Sequence, residues 1–333
     1  MITRAIHQHR RSLIAALVLA AALAASAAEP LATTAAPAAP GQDEAALGAD
    51  LVKTGLYLIT GGGANSLLRL SPVGSILVDG KLPGAYRELR SQVRRISKLS
   101  DLPVRVLIAT NHHANHAGNA VLIAAAGVAL IVQEKARACL PAMAATPATP
   151  APGAKAPAPT VTFDRAYPLR MGGIEAQVLH FGSASTDSDA VVLFPDLKVI
   201  AVGELFTSGP PTPDFAGGGS LVNWGQVLEQ VLKLEFDIVV PGTGPVVGRA
   251  ELIAFKAKLD VLVARGAALV RQGLPRDRLL AQAPDPGSGL ALQLQPRADR
   301  PPLRRPAADP LAASHASPGG RAGQGWLTPR AAG

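Results

Sequence analysis

A chain of 333 residues with a formal net charge of +8 invites a nucleic-acid reading, but the placement of the charge excludes it. Arg4, Arg10 and Arg11 sit in an N-terminal segment, six arginines after residue 296 face only Asp299 and Asp309, and the stretch between is nearly neutral. Cys139 is the only cysteine, so no intrachain disulfide is available and stability has to come from the core.

Residues 1–28 predict an export signal. The three arginines precede an apolar stretch from Leu13 to about Leu23, too short to span a bilayer, and Ala25-Ser26-Ala27-Ala28 supplies a small-residue cleavage site. Arg10-Arg11 followed by Ser12-Leu13-Ile14 resembles a twin-arginine signal, and the general secretory route stays open. The expectation is a periplasmic or secreted protein with no transmembrane segment after signal removal. Residues 29–48 are an Ala/Pro/Thr leader that reads as flexible. Residues 144–159 read as a low-complexity surface loop, and 291–333 as a disordered basic tail. Residues 49–290 remain for one folded domain.

Within that domain, Leu56–Thr60, Ser66–Leu70 and Ser75–Val78 predict short strands separated by Gly61-Gly62-Gly63 and by the turn at Pro72 to Gly74. Leu82–Ile96 reads as a helix with Leu89, Val93 and Ile96 on one face. Val104–Ala109 is a buried-strand pattern, Asn119–Ala126 a helix and Ala129–Val132 a strand. The second half repeats the scheme: strands at Ala176–His180, Ala190–Phe194 and Val199–Val202, a helix at Asn223–Lys233, a strand at Ile238–Val240 and a long helix at Ala250–Gln272. Strands, helix and strand, twice over, predict an α/β fold of two mixed sheets packed face to face with helices outside.

Three of the seven histidines fall in Asn111-His112-His113-Ala114-Asn115-His116, directly after a buried strand and before a helix, where one loop can aim several imidazoles at one point. This segment resembles the His-x-His-x-Asp-His motif of the metallo-β-lactamase superfamily. Gly182-Ser183-Ala184-Ser185-Thr186, Gly203-Glu204-Leu205-Phe206 and Pro241-Gly242-Thr243-Gly244 are similar to its Gly-x-x-His-Thr, Gly-Asp-x-x-Phe and Pro-Gly-His-Gly segments, in the same order. The resemblance covers roughly residues 51–280 and implies a four-layer αββα sandwich.

What the resemblance implies about the site is altered at most positions. One family zinc is held where this chain has Asn111, His113 and Ser185, and the other where it has Asn115, His116, Glu204 and Thr243. Asn111, Asn115, Ser185 and Thr243 are neutral replacements. His113, His116 and Glu204 are left as a set for at most one zinc or other divalent ion, Glu204 being one methylene longer than the family's bridging Asp. Asn111 and Asn115 are the candidate catalytic positions. Asn111 offers a carbonyl oxygen to the metal or a donor to an oxyanion, whereas Asn115 cannot take a proton as the family's Asp can.

Around that set, His112 lies at an x position and is expected to point away from the metal. The resemblance implies that Asp79 supports the site loops, and His180 ends a strand from which it could reach the cleft. Phe206, Phe215 and Trp224 fall on or near segments that, by the resemblance, line the cleft; they are expected to pack, with contact to an apolar part of a substrate as the alternative. Two functions stay open: a metal-dependent hydrolase of an ester, lactone or amide-like bond, or an inactive or small-molecule-binding protein that keeps the fold. The partner in either case is a small molecule.

Overall fold

The computed structural model describes residues 47–97, 103–140, 161–273 and 275. The expected export signal at residues 1–28, residues 29–46 of the expected leader, the expected loop at 144–159 and the expected tail at 291–333 lie outside the described residues. A meander of β1 (Gly48–Lys53), β2 (Leu56–Thr60), β3 (Ser66–Ser71) and β4 (Gly74–Val78) leads into helix α1 (Tyr86–Ile96). Then come β5 (Val104–Ile108), the short helices α2 (Ala114–Ala117) and α3 (Ala120–Ala125), β6 (Ala129–Gln133) and β7 (Val161–Phe163). The second half runs β8 (Ala166–Met171), β9 (Ile174–Leu179), β10 (Val191–Phe194), β11 (Val199–Gly203), α4 (Leu221–Val231), β12 (Ile238–Pro241), β13 (Val247–Gly248) and α5 (Arg249–Arg271).

The strands form a seven-stranded sheet in the order β1 to β7 and a six-stranded sheet in the order β13-β12-β11-β10-β9-β8. Both are mixed: β4 to β7 are parallel, as are β11 and β12, and the remaining pairs are antiparallel. Side-chain alternation explains the layering. Along β4, Ile76 and Val78 enter the core between the sheets while Leu77 faces α1 and α3. Along β10, Val192 and Phe194 enter it while Val191 and Leu193 face α4 and α5. Strands buried on both faces read as unbroken apolar runs, and three stacked cores give the expected αββα sandwich.

Four strands escape the sequence reading, β1, β7, β8 and β13, and these are the four sheet edges. An edge strand has neighbours on one side only and carries less apolar sequence; β8 even holds Pro168, whose missing N–H an edge tolerates. Helix α1 starts at Tyr86, later than the predicted Leu82, because Pro83 and Gly84 intervene and Gly84 takes a left-handed φ of 97°. Helix α4 starts earlier than predicted, where Ser220 Oγ accepts from the Asn223 N–H and satisfies a donor of the first turn.

Two buried side chains tie this scaffold to the cleft. Trp224 of α4, 1% exposed, donates its indole N–H to the Leu205 carbonyl at 3.0 Å and so fixes the chain just after Glu204. Lys81, fully buried after β4, donates to the carbonyls of Ile59 and Ala64, each at 2.6 Å, and pins the glycine loop between β2 and β3. Burial drives the Lys81 pKa down to about 7, with the Asp79 carboxylate offsetting part of the loss.

Trp224→Ala is expected to cost about 3–5 kcal/mol in urea unfolding, through lost packing, a cavity and an orphaned carbonyl. A loss below about 1 kcal/mol would show that α4 does not anchor the second sheet. Between about pH 7 and about pH 10.4 the unfolded chain holds a proton that folded Lys81 has released, so the stability contributed at this position rises with pH. The stability advantage of wild type over Lys81→Met, measured by urea unfolding of metal-free protein, therefore grows across that window; a pH-independent difference would contradict the depressed pKa.

Candidate functional site

The site forms where the C-terminal ends of strands from both sheets meet. β4 runs into Asp79, β5 into Thr110 and the histidine segment, β11 into Glu204 and β12 into Thr243. Asp79 adopts a φ of 63°, a left-handed conformation that aspartate tolerates better than most residues. Its carboxylate accepts from the Thr110 N–H at 2.8 Å, from Thr110 Oγ1, and from His116 Nδ1 at 2.7 Å.

His116, fully buried on α2, lies between two carboxylates, with Nε2 2.9 Å from Glu204 Oε1. Burial opposes the imidazolium, but Asp79 and then Glu204 outweigh it and raise the pKa to about 10, so both ring nitrogens donate. Burial likewise opposes ionisation of Glu204, yet the bond and charge of His116, aided by Asn115, hold it down at about 2. Asn115 Nδ2 donates to the same Glu204 oxygen at 2.8 Å.

A second group surrounds His113. Its backbone N–H donates to Asn111 Oδ1 at 2.9 Å, closing a local turn, and its Nε2 lies 3.0 Å from Asp214 Oδ2. His112 Nδ1 bonds to Ser188 Oγ at 2.8 Å, and its Nε2 lies 3.9 Å from the same Asp214 oxygen. Asn111 Nδ2 reaches toward Asp189 at 3.4 Å. Burial pushes Asp189 up to about 6 despite bonds from Thr186 that favour its charge. The bond from His113 leads in holding Asp214 well below the usual carboxylate range, against a smaller opposing effect of burial. His180 Nδ1 bonds to the Asp189 carbonyl at 2.7 Å, a structural tie at the cleft's side.

The expected ligand trio is divided in this arrangement: His113 turns to Asp214, while His116 turns to Glu204. The residues at the altered family positions do not fit a pair of ions. Asn115 presents N–H to Glu204, Ser185 Oγ donates to the Thr212 carbonyl, and Asn111 Oδ1 is engaged by the His113 N–H. Thr243 lines a cleft of about 630 Å³ with Gly61, Gly63 and Asn65. Asn65 Nδ2 donates to the carbonyls of Pro241 and Gly244 and links the loops of the two sheets along that wall.

Among the described residues, the group able to offer an ion three donors is His112, His113 and Asp214, with one ligand atom of each within 4.8 Å of the others. Two imidazoles and an ionised carboxylate fit a single divalent transition metal. His112 stands inside this group and does not point away from it. Asp214 is the functional candidate that the sequence reading passes over. Its signal was modest: an acidic residue between Pro213 and Gly217-Gly218-Gly219, ten positions after Glu204. Of the cleft aromatics, Phe206 and Trp224 are core residues, Phe206 against Phe255, while Phe215 is 57% exposed beside Asp214.

The family model for the metallo-beta-lactamase superfamily matches residues 59–243. No curated protein matches the chain. Among solved structures, a metallo-beta-lactamase from Pontibacter korlensis aligns with a TM-score of 0.54 and 20% identity over 64% of this chain and 99% of its own. The DIM-1 metallo-beta-lactamase aligns with a TM-score of 0.53 and 19% identity over 64% and 97%. The stereoselective inverting sec-alkylsulfatase Pisa1 from Pseudomonas sp. aligns with a TM-score of 0.56 and 18% identity over 71% of this chain but 45% of its own. At such identities these likenesses speak for the fold. The family match spans more than half of the chain, and the chain belongs to the metallo-beta-lactamase superfamily.

Proposed function

We propose that the chain is an exported, divergent metallo-hydrolase that cleaves an ester, lactone or amide-like bond of a small molecule with no more than one metal ion, zinc or another divalent cation. The observation that carries this reading is the concentration of buried ionisable groups at one end of the sandwich: Asp79, His116 and Glu204 in a chain of charged hydrogen bonds, with His112, His113 and Asp214 beside them. Burying such groups costs several kcal/mol each, and an apolar cluster would hold the sheets at least as well, so stability alone is a weak reason for them.

An ion in this cleft would supply Lewis acidity toward the oxygen of the scissile carbonyl. The ligand set read from the sequence is His113, His116 and Glu204, and the contacts also allow His113 with His112 and Asp214; His113 belongs to both. Asp79 orients the His116 ring through Nδ1, and His116 with Asn115 aims the Glu204 carboxylate; an ion taken up at His116 would displace the proton on Nε2. Asn111 Nδ2, in only a long contact with Asp189, is the amide donor available to an oxyanion. Phe215 offers an exposed ring to an apolar portion of a substrate. Export rests on the basic, apolar and small-residue order of residues 1–28. Among the described residues no helix is long and apolar enough to cross a membrane.

A second reading has its own observation. Asn111, Asn115 and Ser185 are bonded to protein atoms, which suits a cleft that binds a small molecule without turning it over.

The mature protein, secreted on its own signal and loaded with zinc, is expected to hydrolyse at least one member of an ester, lactone and β-lactam panel. That activity should disappear on chelation and fall roughly 100-fold or more in His113→Ala. A folded, zinc-loaded protein inert toward the whole panel would transfer the cleft to the binding reading.

A further inference from the structure

We propose that His112, His113 and Asp214 form a mononuclear site for a divalent transition-metal ion, displaced from both metal positions of the superfamily. This inference rests on the metal-dependent reading above and names where the ion sits. The histidine segment and the loop after Glu204 supply the three ligands. One carboxylate oxygen, Asp214 Oδ2, faces both imidazoles, 3.0 Å from His113 Nε2 and 3.9 Å from His112 Nε2. Donors bonded to zinc at 2.0–2.2 Å in tetrahedral array stand roughly 3.3 Å apart, so the two contacts to Asp214 lie on either side of that spacing, and all three donor atoms, within 4.8 Å of one another, would draw together around an ion.

The supporting contacts aim these atoms. Ser188 Oγ engages the far nitrogen of His112 at 2.8 Å, the arrangement that orients a metal-ligating imidazole. The Gly217 N–H donates to Asp214 Oδ1 at 2.9 Å and fixes the carboxylate plane, leaving Oδ2 toward the histidines. The backbone of Asp214 is held at both ends, its N–H to the Ser185 carbonyl and its carbonyl by the Gly219 N–H. Gly217 adds an independent observation. A Cβ there would stand 2.7 Å from Asp214 Oδ2 and 3.0 Å from His112 Nε2, so any side chain would crowd the space between two of the three ligand atoms. Glycine at this position keeps that space clear.

Three protein donors would leave a tetrahedral ion one position for water or substrate, and His113 is the most exposed of the three ligands.

The test uses the mature full-length protein, stripped with chelator and titrated with Co²⁺, whose visible absorption reports coordination, with Zn²⁺ as competitor. Asp214→Asn and His112→Gln keep side-chain shape and are compared with Glu204→Gln, each checked for folding by circular dichroism. One equivalent of Co²⁺ is expected in wild type and in Glu204→Gln, and binding roughly 100-fold weaker or lost in Asp214→Asn and His112→Gln. Zinc should raise the melting temperature of the first two proteins and leave that of the last two unchanged. Wild-type affinity in Asp214→Asn, loss of binding confined to Glu204→Gln, or no binding by folded wild type would each overturn the site. Binding lost in Asp214→Asn without hydrolysis in wild type would keep the site and end the hydrolase reading. Hydrolysis with binding lost only in Glu204→Gln would do the reverse.

Discussion

The buried chain from Asp79 through His116 to Glu204 is the interaction on which the functional end of this molecule depends. Asp79 ends a strand of the first sheet, Glu204 ends a strand of the second, and a fully buried imidazolium with a carboxylate on each nitrogen joins them. The apolar core holds the sheets together but does not specify their register at the cleft. A charged link with two short hydrogen bonds does, because sliding either strand end would leave a buried charge without its partner. Asn65, bonded to the carbonyls of Pro241 and Gly244, repeats the cross-sheet tie along the cleft wall.

The replacements at the superfamily's metal positions become coherent when donors and acceptors are considered. Asn115 is nearly isosteric with an aspartate, yet it brings N–H groups where an aspartate brings only lone pairs. Two carboxylates facing each other across the cleft repel unless a cation lies between them, whereas an amide facing Glu204 closes a 2.8 Å hydrogen bond by itself. The same exchange appears at Ser185, whose hydroxyl reaches the Thr212 carbonyl. Asn115 and Ser185 thus find partners within the protein, and His112, His113 and Asp214 are gathered beside them.

The fold was legible in the sequence wherever physics leaves a local trace. Strands buried on both faces, such as β4, β5, β10 and β11, carry apolar runs that need no tertiary context to read, and the histidine segment announces a loop at a strand end. What stayed hidden depends on partners far away in the chain. The edge strands β1, β7, β8 and β13 lack the apolar density of the interior strands, and β8 is interrupted by Pro168. Asp214 meets His113 across 101 positions, and neither residue's neighbours announce the other. His112 looked like a spacer because the superfamily pattern assigns no ligand there; only the placement of Asp214 and Ser188 turns it inward. Residue identity is enough to say which superfamily ligands are missing, but the hydrogen bonds of Asn111, Asn115 and Ser185 depend on how the fold aims their side chains.

Anomalous diffraction at the zinc edge, from crystals of the mature protein grown or soaked with zinc, addresses the central claim most directly, because it locates an ion without reference to activity. The account predicts one anomalous peak within ligand distance of His113 and Asp214, on the His112 side. A peak bridging His116 and Glu204, with His113 turned toward it and Asp214 left outside, would contradict it.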